Sequence, residues 1–562
     1  MYGTKGLFIL AFAVFLLLLI PVFSLIAGTS FFPQLGRSSF SLWSFLTAAN
    51  TSILVSNTLE FSIISAAITT ALATTFAWFV ARTDVPGKRF LELLPVLGLT
   101  IPAVFKALAW NFLFNPNSGV ANQMLRVGLG PGAPVLNVNT MAGLITVQSL
   151  TNVPIVYLIT LAAMKSIDPS LEEASRVSGR GAFQTFARVT LPVIRPAAFS
   201  AFVLAVIGGI NNFDYTFIIG IPSGLHFLAT EIYYYTSQRA IPAYGSAGII
   251  SVLYVTITLI TVAIYIWSTR RAFKFQVVTG RSSAGHAQRL GSFRYLGFLF
   301  CLAVLFFEFI MPFLALFLIS TTDIFSAGIT GMHAIFPYYY LQALKIPSLF
   351  QSLRVTFTFG LIAALLATAA GALLSYTALR SGSTGARLTE YVSAVPLAFP
   401  GVVYGVALFW TFLLVPGMNL LYGTIWPLVI SLVFLRLPFS TRIISGNLVQ
   451  ISNEMEEASQ VAGAGFGRTF VKVTLPLIKE GVFNSFIYTF VDSIRELGGV
   501  IILVTSQTVT FTALLLGYWN APNTAFSTVA AAAVIFSGMI SLILFAAAVA
   551  RHFLERRGSP RP

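Results

Sequence analysis

Hydrophobic positions along this 562-residue chain fall into long runs that are separated by short polar stretches. Each run has about 20 residues, which is enough to cross a hydrocarbon core about 30 Å thick as a helix. The pattern therefore predicts an all-α membrane protein with about twelve transmembrane helices. The predicted spans are 7–28, 55–81, 92–114, 139–164, 193–220, 246–268, 295–319, 351–379, 391–415, 424–446, 480–504 and 526–550.

The polar segment 269–294 interrupts this pattern halfway along the chain and is rich in basic residues, glycine and serine. We interpret it as a cytoplasmic linker between two six-span halves, residues 1–268 and residues 295–562. An even number of spans in each half makes the two repeats parallel, with a pathway expected at their interface.

The first apolar run, 7–28, is long for a signal peptide and has a mid-chain counterpart in 295–319, so we interpret it as a retained helix. Lys and Arg residues concentrate in the loops on one side of the predicted spans. The positive-inside rule makes this side cytoplasmic and predicts that both termini lie there. The net charge of +15 is therefore interpreted as a topology signal near anionic lipid, rather than as a nucleic-acid surface.

One polar stretch occurs twice, at a constant offset of 284 residues, between the fourth and fifth spans of each half. The copies are EEASRVSGRGAFQTFARVTLP, Glu172–Pro192, and EEASQVAGAGFGRTFVKVTLP, Glu456–Pro476. Asp168 before Pro169 is typical of a helix start, and Gly179 permits the turn that ends a short helix. The pattern predicts a helix–turn–helix elbow in the cytoplasm. The alternative, an amphipathic surface loop, does not require identical spacing, because unconstrained loops vary in length.

The spacing of this stretch resembles the signature loop of the permease subunits of ABC importers that use a binding protein. That pattern is Glu-Ala-small, three residues, Gly, nine residues, an aliphatic residue, one residue and Leu-Pro, and both copies follow it. They differ from its commonest form in Ser for the second Ala and Val for Ile, which keeps size and branching. The resemblance covers both halves and implies the fold of a type I importer permease. A fused twelve-span chain looks like the ferric-iron and thiamine permeases, with phosphonate-type relatives close behind.

The resemblance implies that each elbow fits a cleft on an ATPase subunit and transmits its closure to the helices. The residues expected to couple in this way are Glu172, Glu173, Ala174, Ser175, Gly179, Leu191, Pro192, Glu456, Glu457, Ala458, Ser459, Gly463, Leu475 and Pro476. The chain has no GxxxxGK[ST] phosphate loop, so ATP and Mg are expected on a separate, homodimeric ATPase on the cytoplasmic side. The resemblance also implies an extracytoplasmic substrate-binding protein and the inner or plasma membrane of a prokaryote.

Polar residues inside two predicted spans form a second candidate site. The same offset of 284 places Asn211 and Asn212 opposite Arg495 and Glu496, at similar depth in equivalent helices. A charge at the bilayer centre costs about 2.5–3.5 kcal/mol, so these residues are expected to face protein or water. The functional hypothesis is a translocation pathway lined by Asn211, Asn212, Asp214, Asp492, Arg495 and Glu496. The alternative is an ion-pair network that holds the bundle, for example between Arg495 and Asp214, Asp492 or Glu496.

Other polar residues are expected to be structural. Glu308 is isolated in an apolar run and is expected to pack at a helix interface, whereas Lys106 lies near a predicted span end and is expected to snorkel. The four histidines are scattered and have no metal-ligand spacing, so no metal site is predicted. No nucleophile–base arrangement points to an enzyme.

The predicted function is the transmembrane permease of an ATP-driven, binding-protein-dependent importer. The fused architecture and the segment RELGGVIIL look most like ferric-iron permeases. Thiamine, phosphonate and polyamine remain alternative cargoes, because selectivity in this family rests largely with the binding protein. An ion-coupled secondary transporter with parallel halves is a further alternative, but such a carrier needs no cytoplasmic elbow.

Overall fold

The computed structural model describes residues 18–25, 49–273, 287–323, 331, 333–380, 393–521 and 526–558. Regular structure in this part of the chain is helical, and its β contacts are two isolated bridges. The predicted all-α class is therefore confirmed. Most of the first predicted span, residues 274–286 of the linker and the start of the 391–415 span lie outside the described residues.

Seven helices in the described part of the chain are long and apolar enough to cross a membrane. They are Asn50–Arg82, Ala182–Ile210, Tyr244–Thr269, Phe293–Thr321, Pro347–Arg380, Trp426–Leu448 and Phe526–Ala550. Two helices bent by 46° relative to each other, Met141–Thr151 and Val153–Lys165, make an eighth candidate span if they are counted as one. Ala103–Phe114 and Gly401–Leu414 are shorter apolar helices. Each of these elements lies at a predicted span, so the helical membrane fold is confirmed.

Shorter helices complete the bundle. In the first half they are Lys88–Leu97, Gly98–Thr100, Val120–Leu129, Pro169–Val177, Thr216–Gly220, Ile221–Ser223, Leu228–Tyr233 and Tyr234–Gln238. In the second half they are Tyr338–Leu344, Val395–Ala398, Met418–Leu421, Glu454–Val461, Phe466–Thr469, Phe470–Thr474, Leu475–Leu477, Lys479–Ile494 and Phe511–Asn520. The helices that start at Tyr244 and Phe526 continue beyond their apolar parts to Phe273 and Gly558.

Prolines explain the breaks in several spans. The predicted span 92–114 is interrupted at Ile101, whose backbone is extended, and the helix restarts after Pro102. Pro400 has the same position before Gly401–Leu414 in the second half. A residue that precedes proline is biased away from the helical conformation, so both breaks follow from local sequence.

Two predicted spans were too long. The span 193–220 is helical only to Ile210 before it breaks, and the span 480–504 is helical only to Ile494. Glycine pairs accompany both breaks, at 208–209 and at 498–499. Glycine costs about 1 kcal/mol relative to alanine inside a helix, so high hydropathy does not guarantee helix there.

These glycines also permit close packing of neighbouring segments. A Cβ atom on Gly209 would lie 2.9 Å from the Cα atom of Ser62. A Cβ atom on Gly499 would lie 2.6 Å from Cδ1 of Leu435. The polar candidates at 211–212 and 495–496 follow directly after the two helix ends in non-helical backbone, and Asp214 begins the next helical turn.

The first helix of each half packs against the other half. Glu308, on Phe293–Thr321, forms an ion pair with Lys106 of the first half, with 2.8 Å between Nζ and Oε1. In the reverse direction, Tyr404 of the second half donates a hydrogen bond to the carbonyl of Leu18 at 2.9 Å. Both Lys106 and Glu308 are buried, so the expectation that Lys106 snorkels to the interface was wrong. The expectation that Glu308 packs at a helix interface is confirmed, and its partner comes from a distant span.

The core crosses the boundary between the halves. Phe105 of the first half packs edge-on against Phe511 and Phe536 of the second, with ring centroids 6.1 and 6.2 Å apart. Thr258 donates a hydrogen bond to the carbonyl of Ala398 at 2.6 Å across the same boundary. These contacts unite the two repeats in one packed helical body.

Candidate functional site

The first elbow consists of residues 168–190. Its short helix, Pro169–Val177, begins at Asp168, whose carboxylate accepts a hydrogen bond from the backbone N–H of Ser170 at 2.9 Å. This bond holds the pKa of the Asp168 carboxyl below its ordinary value, because it favours the charged form. Pro169 occupies the first helical position, where a missing N–H costs nothing. The predicted helix start is therefore observed.

Glycine ends the short helix in both elbows. Gly179 has φ of +82° and Gly463 has φ of +83°. In the first elbow the N–H of Arg180 donates to the carbonyl of Ser175 at 3.3 Å, and the N–H of Gly179 donates to that of Arg176 at 2.9 Å. The second elbow repeats this pattern at the same offset, with distances of 3.1 and 2.9 Å. The arrangement is a Schellman motif, which requires a left-handed residue at this position.

The second elbow consists of residues 452–474 and has the same plan. Its short helix is Glu454–Val461, and the N–H of Glu454 donates to the Ser452 hydroxyl at 3.3 Å. A π-helical turn follows in each elbow, at Phe186–Thr190 and Phe470–Thr474. The copies differ afterwards. The first continues without a break through Pro192 to Ile210, whereas the second is interrupted at Ile478 before Lys479–Ile494.

Four of the predicted coupling residues lie inside the elbows, where they hold the two helices of each elbow together. Thr190 donates to Glu172 at 2.6 Å, and Thr474 donates to Glu456 at 2.9 Å. The hydroxyls of Ser175 and Thr185 lie 3.0 Å apart, as do those of Ser459 and Thr469. Glu172 and Glu456 are buried, so these carboxylates are not available to a partner surface.

The outer surface of each elbow carries the remaining candidates. Glu173, Ala174 and Gly179 are exposed in the first elbow, and their counterparts Glu457, Ala458 and Gly463 are exposed in the second. Leu191, Pro192 and Pro476 are exposed, and Leu475 is half-buried. The coupling role of these residues stays a prediction.

Two valines were missed by the sequence analysis. Val177 and Val461 lie at the last turn of the short helices, and each is 89% exposed. Leu171 and Met455, one and a half turns earlier, are also exposed. An apolar side chain before Ser-Gly or Ala-Gly, in an otherwise polar helix and at the same offset of 284, was a sequence signal for this surface.

A cavity of about 230 Å³ lies between the two halves and is bordered by residues from both. Of the predicted pathway residues, Asn211 and Glu496 line it. It is also lined by Asn152 and Arg436, which the sequence analysis did not select. The offset of 284 relates Asn152 to Arg436 and Pro154 to Pro438, so the repeat itself contained the signal.

Arg436 forms ion pairs with two carboxylates at this cavity. Its Nη1 atom lies 2.9 Å from Oδ2 of Asp492, and its Nη2 atom is hydrogen-bonded to Oε2 of Glu496. The N–H of Gly499 donates to the other oxygen of Glu496 at 2.9 Å. The sequence analysis gave Arg495 as the example of an arginine in an ion-pair network. That example was wrong, because Arg436 is the residue that bridges the two carboxylates.

The other predicted pathway residues do not join this ion pair. Arg495 donates to the carbonyl of Ile101 at 3.3 Å and has no ion pair within the described part of the chain. Asn212 accepts a hydrogen bond from the N–H of Tyr215 at 3.0 Å. The Oδ1 atoms of Asn211 and Asp214 are buried without a hydrogen-bond partner among the described residues. Unpaired polar atoms of this kind are costly and call for a partner.

No group of three or more His, Cys, Asp and Glu residues able to hold a metal ion occurs within the described ranges. The Asp492 and Glu496 carboxylates are occupied by Arg436.

A helical membrane chain with two equivalent elbows and a polar cavity between its repeats has the architecture of a membrane transport subunit. The chain belongs to the family described as binding-protein-dependent transport system inner membrane component, which matches residues 73–274 and 367–556. It is thus a multi-pass permease subunit of an ABC importer, a class that works with an ATPase and a substrate-binding protein. The family assignment decides against a secondary transporter.

Related proteins share most of this chain at low identity. A protein of Haemophilus influenzae, provisionally named ferric transport system permease protein FbpB 1, is 26% identical over 89% of this chain and 77% of its own length. The Fe(3+)-transport system permease protein FbpB 2 of the same organism is 24% identical over 87% of this chain and 89% of its own length. The ferric transport system permease protein FbpB of Actinobacillus pleuropneumoniae is 27% identical over 66% of this chain, and the match spans 53% of that protein.

Proposed function

We propose that this chain forms the membrane passage of an importer for ferric iron and that its two elbows dock on the two identical subunits of an ATPase. The observation that carries the proposal is the repetition of one elbow at one offset with the same internal contacts. Thr190–Glu172 and Thr474–Glu456 are equivalent pairs, and Val177 and Val461 are equally exposed. Two like surfaces suit two like partners, as in a homodimer.

The energy source lies outside this chain in our proposal. ATP and Mg bind to the partner ATPase, because the sequence has no phosphate-binding loop. The elbows, the linker and both termini face the cytoplasm, where the basic residues concentrate. The substrate-binding protein then delivers cargo to the opposite face.

A helix leads from each elbow towards the cavity, and in the first half this helix is continuous. The helix Ala182–Ile210 starts in the elbow and ends beside Asn211, which lines the cavity. In the second half Lys479–Ile494 follows the elbow and ends two residues before Glu496. Closure of the ATPase against the elbows would therefore move the ends of these helices. Such motion of one repeat against the other is the usual basis of alternating access.

The cavity chemistry suits a cation in transit. Two carboxylates, Asp492 and Glu496, share the guanidinium group of Arg436, which leaves one net negative charge in this group. Hard cations prefer oxygen ligands, which carboxylates and the Asn211 amide supply. Because the carboxylates pair with Arg436, they do not form a site that would bind the cation tightly and hold it. Ferric iron is favoured over the other cargoes by the names of the three relatives.

The proposal is tested by reconstitution of the chain into liposomes with its ATPase and its binding protein. We expect uptake of labelled Fe³⁺ that requires ATP and the binding protein, with no competition from thiamine or phosphonate. ATP-dependent uptake of thiamine but not Fe³⁺ would overturn the cargo. Uptake that is driven by an ion gradient without ATP would overturn the whole proposal.

A further inference from the structure

The long core helices of both halves, Ala49–Arg82 and Pro347–Arg380, end in an arginine. These two arginines are equivalent in the repeat, because each ends a 34-residue helix and the two helices are related by an offset of 298 residues (380 − 82). They lie outside the polar stretch that was recognised in the sequence. Each arginine reaches the buried glutamate of the neighbouring elbow. The contact joins an elbow to a membrane helix that is not its neighbour along the chain.

In the first half, Arg82 is buried at the junction between its helix and the elbow. Its Nη1 atom lies 3.8 Å from Oε2 of Glu172. Its Nη2 atom donates to the carbonyl of Ile167 at 2.9 Å and to the carbonyl of Met164, both just before the elbow. Glu172 also accepts the bond from Thr190, so one carboxylate connects the core helix to both helices of the elbow.

In the second half, Arg380 makes the same connection with more bonds. Its Nε atom lies 3.3 Å from Oε1 of Glu456, and its Nη2 atom donates to the carbonyl of Ile451 at 2.8 Å. It also donates to the side chain of Asn453 at the start of the second elbow. Tyr376, one turn before Arg380, donates to Oε2 of Glu456 at 2.8 Å.

Burial makes these connections stiff. A buried charge needs its partner, because removal of one member leaves an uncompensated charge in a poorly solvated site. The guanidinium group fixes several donors in one plane, so it holds the carboxylate and the backbone carbonyls in one geometry. An elbow that is pushed by a partner therefore carries the end of the core helix with it.

We propose that Arg82 and Arg380 are positioning residues that transmit the movement of each elbow to the long core helices. The proposal rests on the docking of the elbows to the ATPase described above. By this route the movement reaches Ala49–Arg82, which packs against Leu191–Ile210 and Val153–Lys165. In the second half it reaches Pro347–Arg380, which packs against Trp426–Leu448, the helix of Arg436. The arginines thus connect the elbows with two walls of the cavity.

The test compares Arg82→Gln and Arg380→Gln in the full complex of chain, ATPase and binding protein. The measured quantities are the amount of ATPase that co-purifies and the number of cargo ions taken up per ATP hydrolysed. We expect co-purification to stay within about twofold of the parent chain, because the arginines are inside the protein whereas the valines that would meet the ATPase are exposed. We expect the cargo-to-ATP ratio to fall at least about tenfold, equivalent to about 1.4 kcal/mol of lost coupling.

The matched control is Lys165→Gln. Lys165 pairs with Glu92 at the same end of the first half, but both side chains of that pair are substantially exposed. Exposed ion pairs contribute little, so this variant should keep the parent ratio. Arg82→Lys is the conservative variant, which keeps the charge but not the planar set of donors, and it should recover part of the coupling.

An unchanged cargo-to-ATP ratio in assembled Arg82→Gln and Arg380→Gln complexes would overturn the inference. Loss of co-purified ATPase, with a normal ratio in the complex that remains, would also overturn it, because the arginines would then only maintain the elbow. Failure of the docking proposal itself is distinguishable. In that case substitutions on the outer surface of the elbow, such as Val177→Asp, would leave ATPase binding unchanged.

Discussion

The two elbows are almost the same in both halves, whereas the cavity between the halves is not. Glu172 and Glu456, with their threonine partners, repeat the same buried contacts at the same offset. At the cavity, however, Asn152 of the first half corresponds to Arg436 of the second, which pairs with Asp492 and Glu496. In our proposal, the repeats share one geometry where two like partners dock and differ where a single cargo passes.

This difference follows from symmetry. A dimeric partner presents the same surface twice, so both elbows have to meet it with the same shape. A cargo on the axis between two repeats meets both at once, and one charged side chain then serves where two would repel each other. Substitutions at equivalent positions should therefore act equally in the elbows and unequally at the cavity.

The largest expected effect is at the cavity. Arg436→Met leaves the half-buried Asp492 and Glu496 carboxylates without their partner, and loss of a charged hydrogen-bond partner costs about 1–3 kcal/mol for each. We expect little folded protein and no transport, measured by thermal unfolding in detergent and by uptake. Asn152→Ala, at the equivalent position, should cost less than about 1 kcal/mol. Equal losses of stability and transport in Arg436→Met and Asn152→Ala would contradict the proposed difference between the two repeats at the cavity.

A second substitution, at one of the two carboxylates, tests this result further. Arg436→Met combined with Glu496→Gln removes the excess negative charge and should recover part of the lost stability. No recovery would mean that the arginine packs rather than pairs.

A smaller and symmetrical effect is expected on the elbow surface. Val177→Asp and Val461→Asp place a charge where a valine would be buried in the complex, and burial of a valine contributes about 1.5–3 kcal/mol. Binding of the ATPase should weaken by about tenfold or more in each variant. Titration of the purified chain with ATPase checks this, with Val135→Asp as a control at an exposed valine outside the elbows. An effect in only one elbow would contradict docking on a homodimer.

The next largest effect is expected from substitutions at the glycine turns of the two elbows. Gly179→Val and Gly463→Val force a branched side chain into φ of +82° and +83°, which costs about 1–2 kcal/mol and displaces the short helix. We expect ATP hydrolysis to continue with reduced transport, measured as cargo per ATP. Gly181→Val is the control, because Gly181 has φ of −72° in open space. Normal coupling in both turn variants would count against transmission through the elbows.

The smallest effect distinguishes the two elbows. Tyr376→Phe removes one hydrogen bond to Glu456, worth about 1 kcal/mol, and the equivalent residue Trp78 makes no such bond to Glu172. We expect slightly faster hydrogen exchange in Glu454–Val461 and no change in Pro169–Val177. An equal change in both short helices would show that the tyrosine acts on the bundle as a whole.

Hydropathy and the repeat were sufficient to predict the helical fold, the positions of most spans and both elbows. Those features are local, because each depends on residues within one segment of the chain. The spans that end at Ile210 and Ile494 were predicted too long, since a hydropathy average does not register the glycine pairs near both helix ends.

Partners across the molecule could not be predicted in this way. Lys106 and Glu308 pair from spans about two hundred positions apart, so each seemed solitary along the sequence. Arg436 was overlooked because apolar neighbours surround it in SLVFLRLPFS. Its carboxylate partners follow only from how the helices pack. The inward direction of Glu172 and Glu456 likewise depends on Arg82 and Arg380, which belong to other helices.

The central claim, that the two elbows dock on two identical ATPase subunits, is tested most directly by native mass spectrometry of the complex extracted from its membrane. The account predicts one copy of this chain with two copies of one ATPase subunit. A stable complex with a single ATPase subunit, or with two different ones, would contradict it.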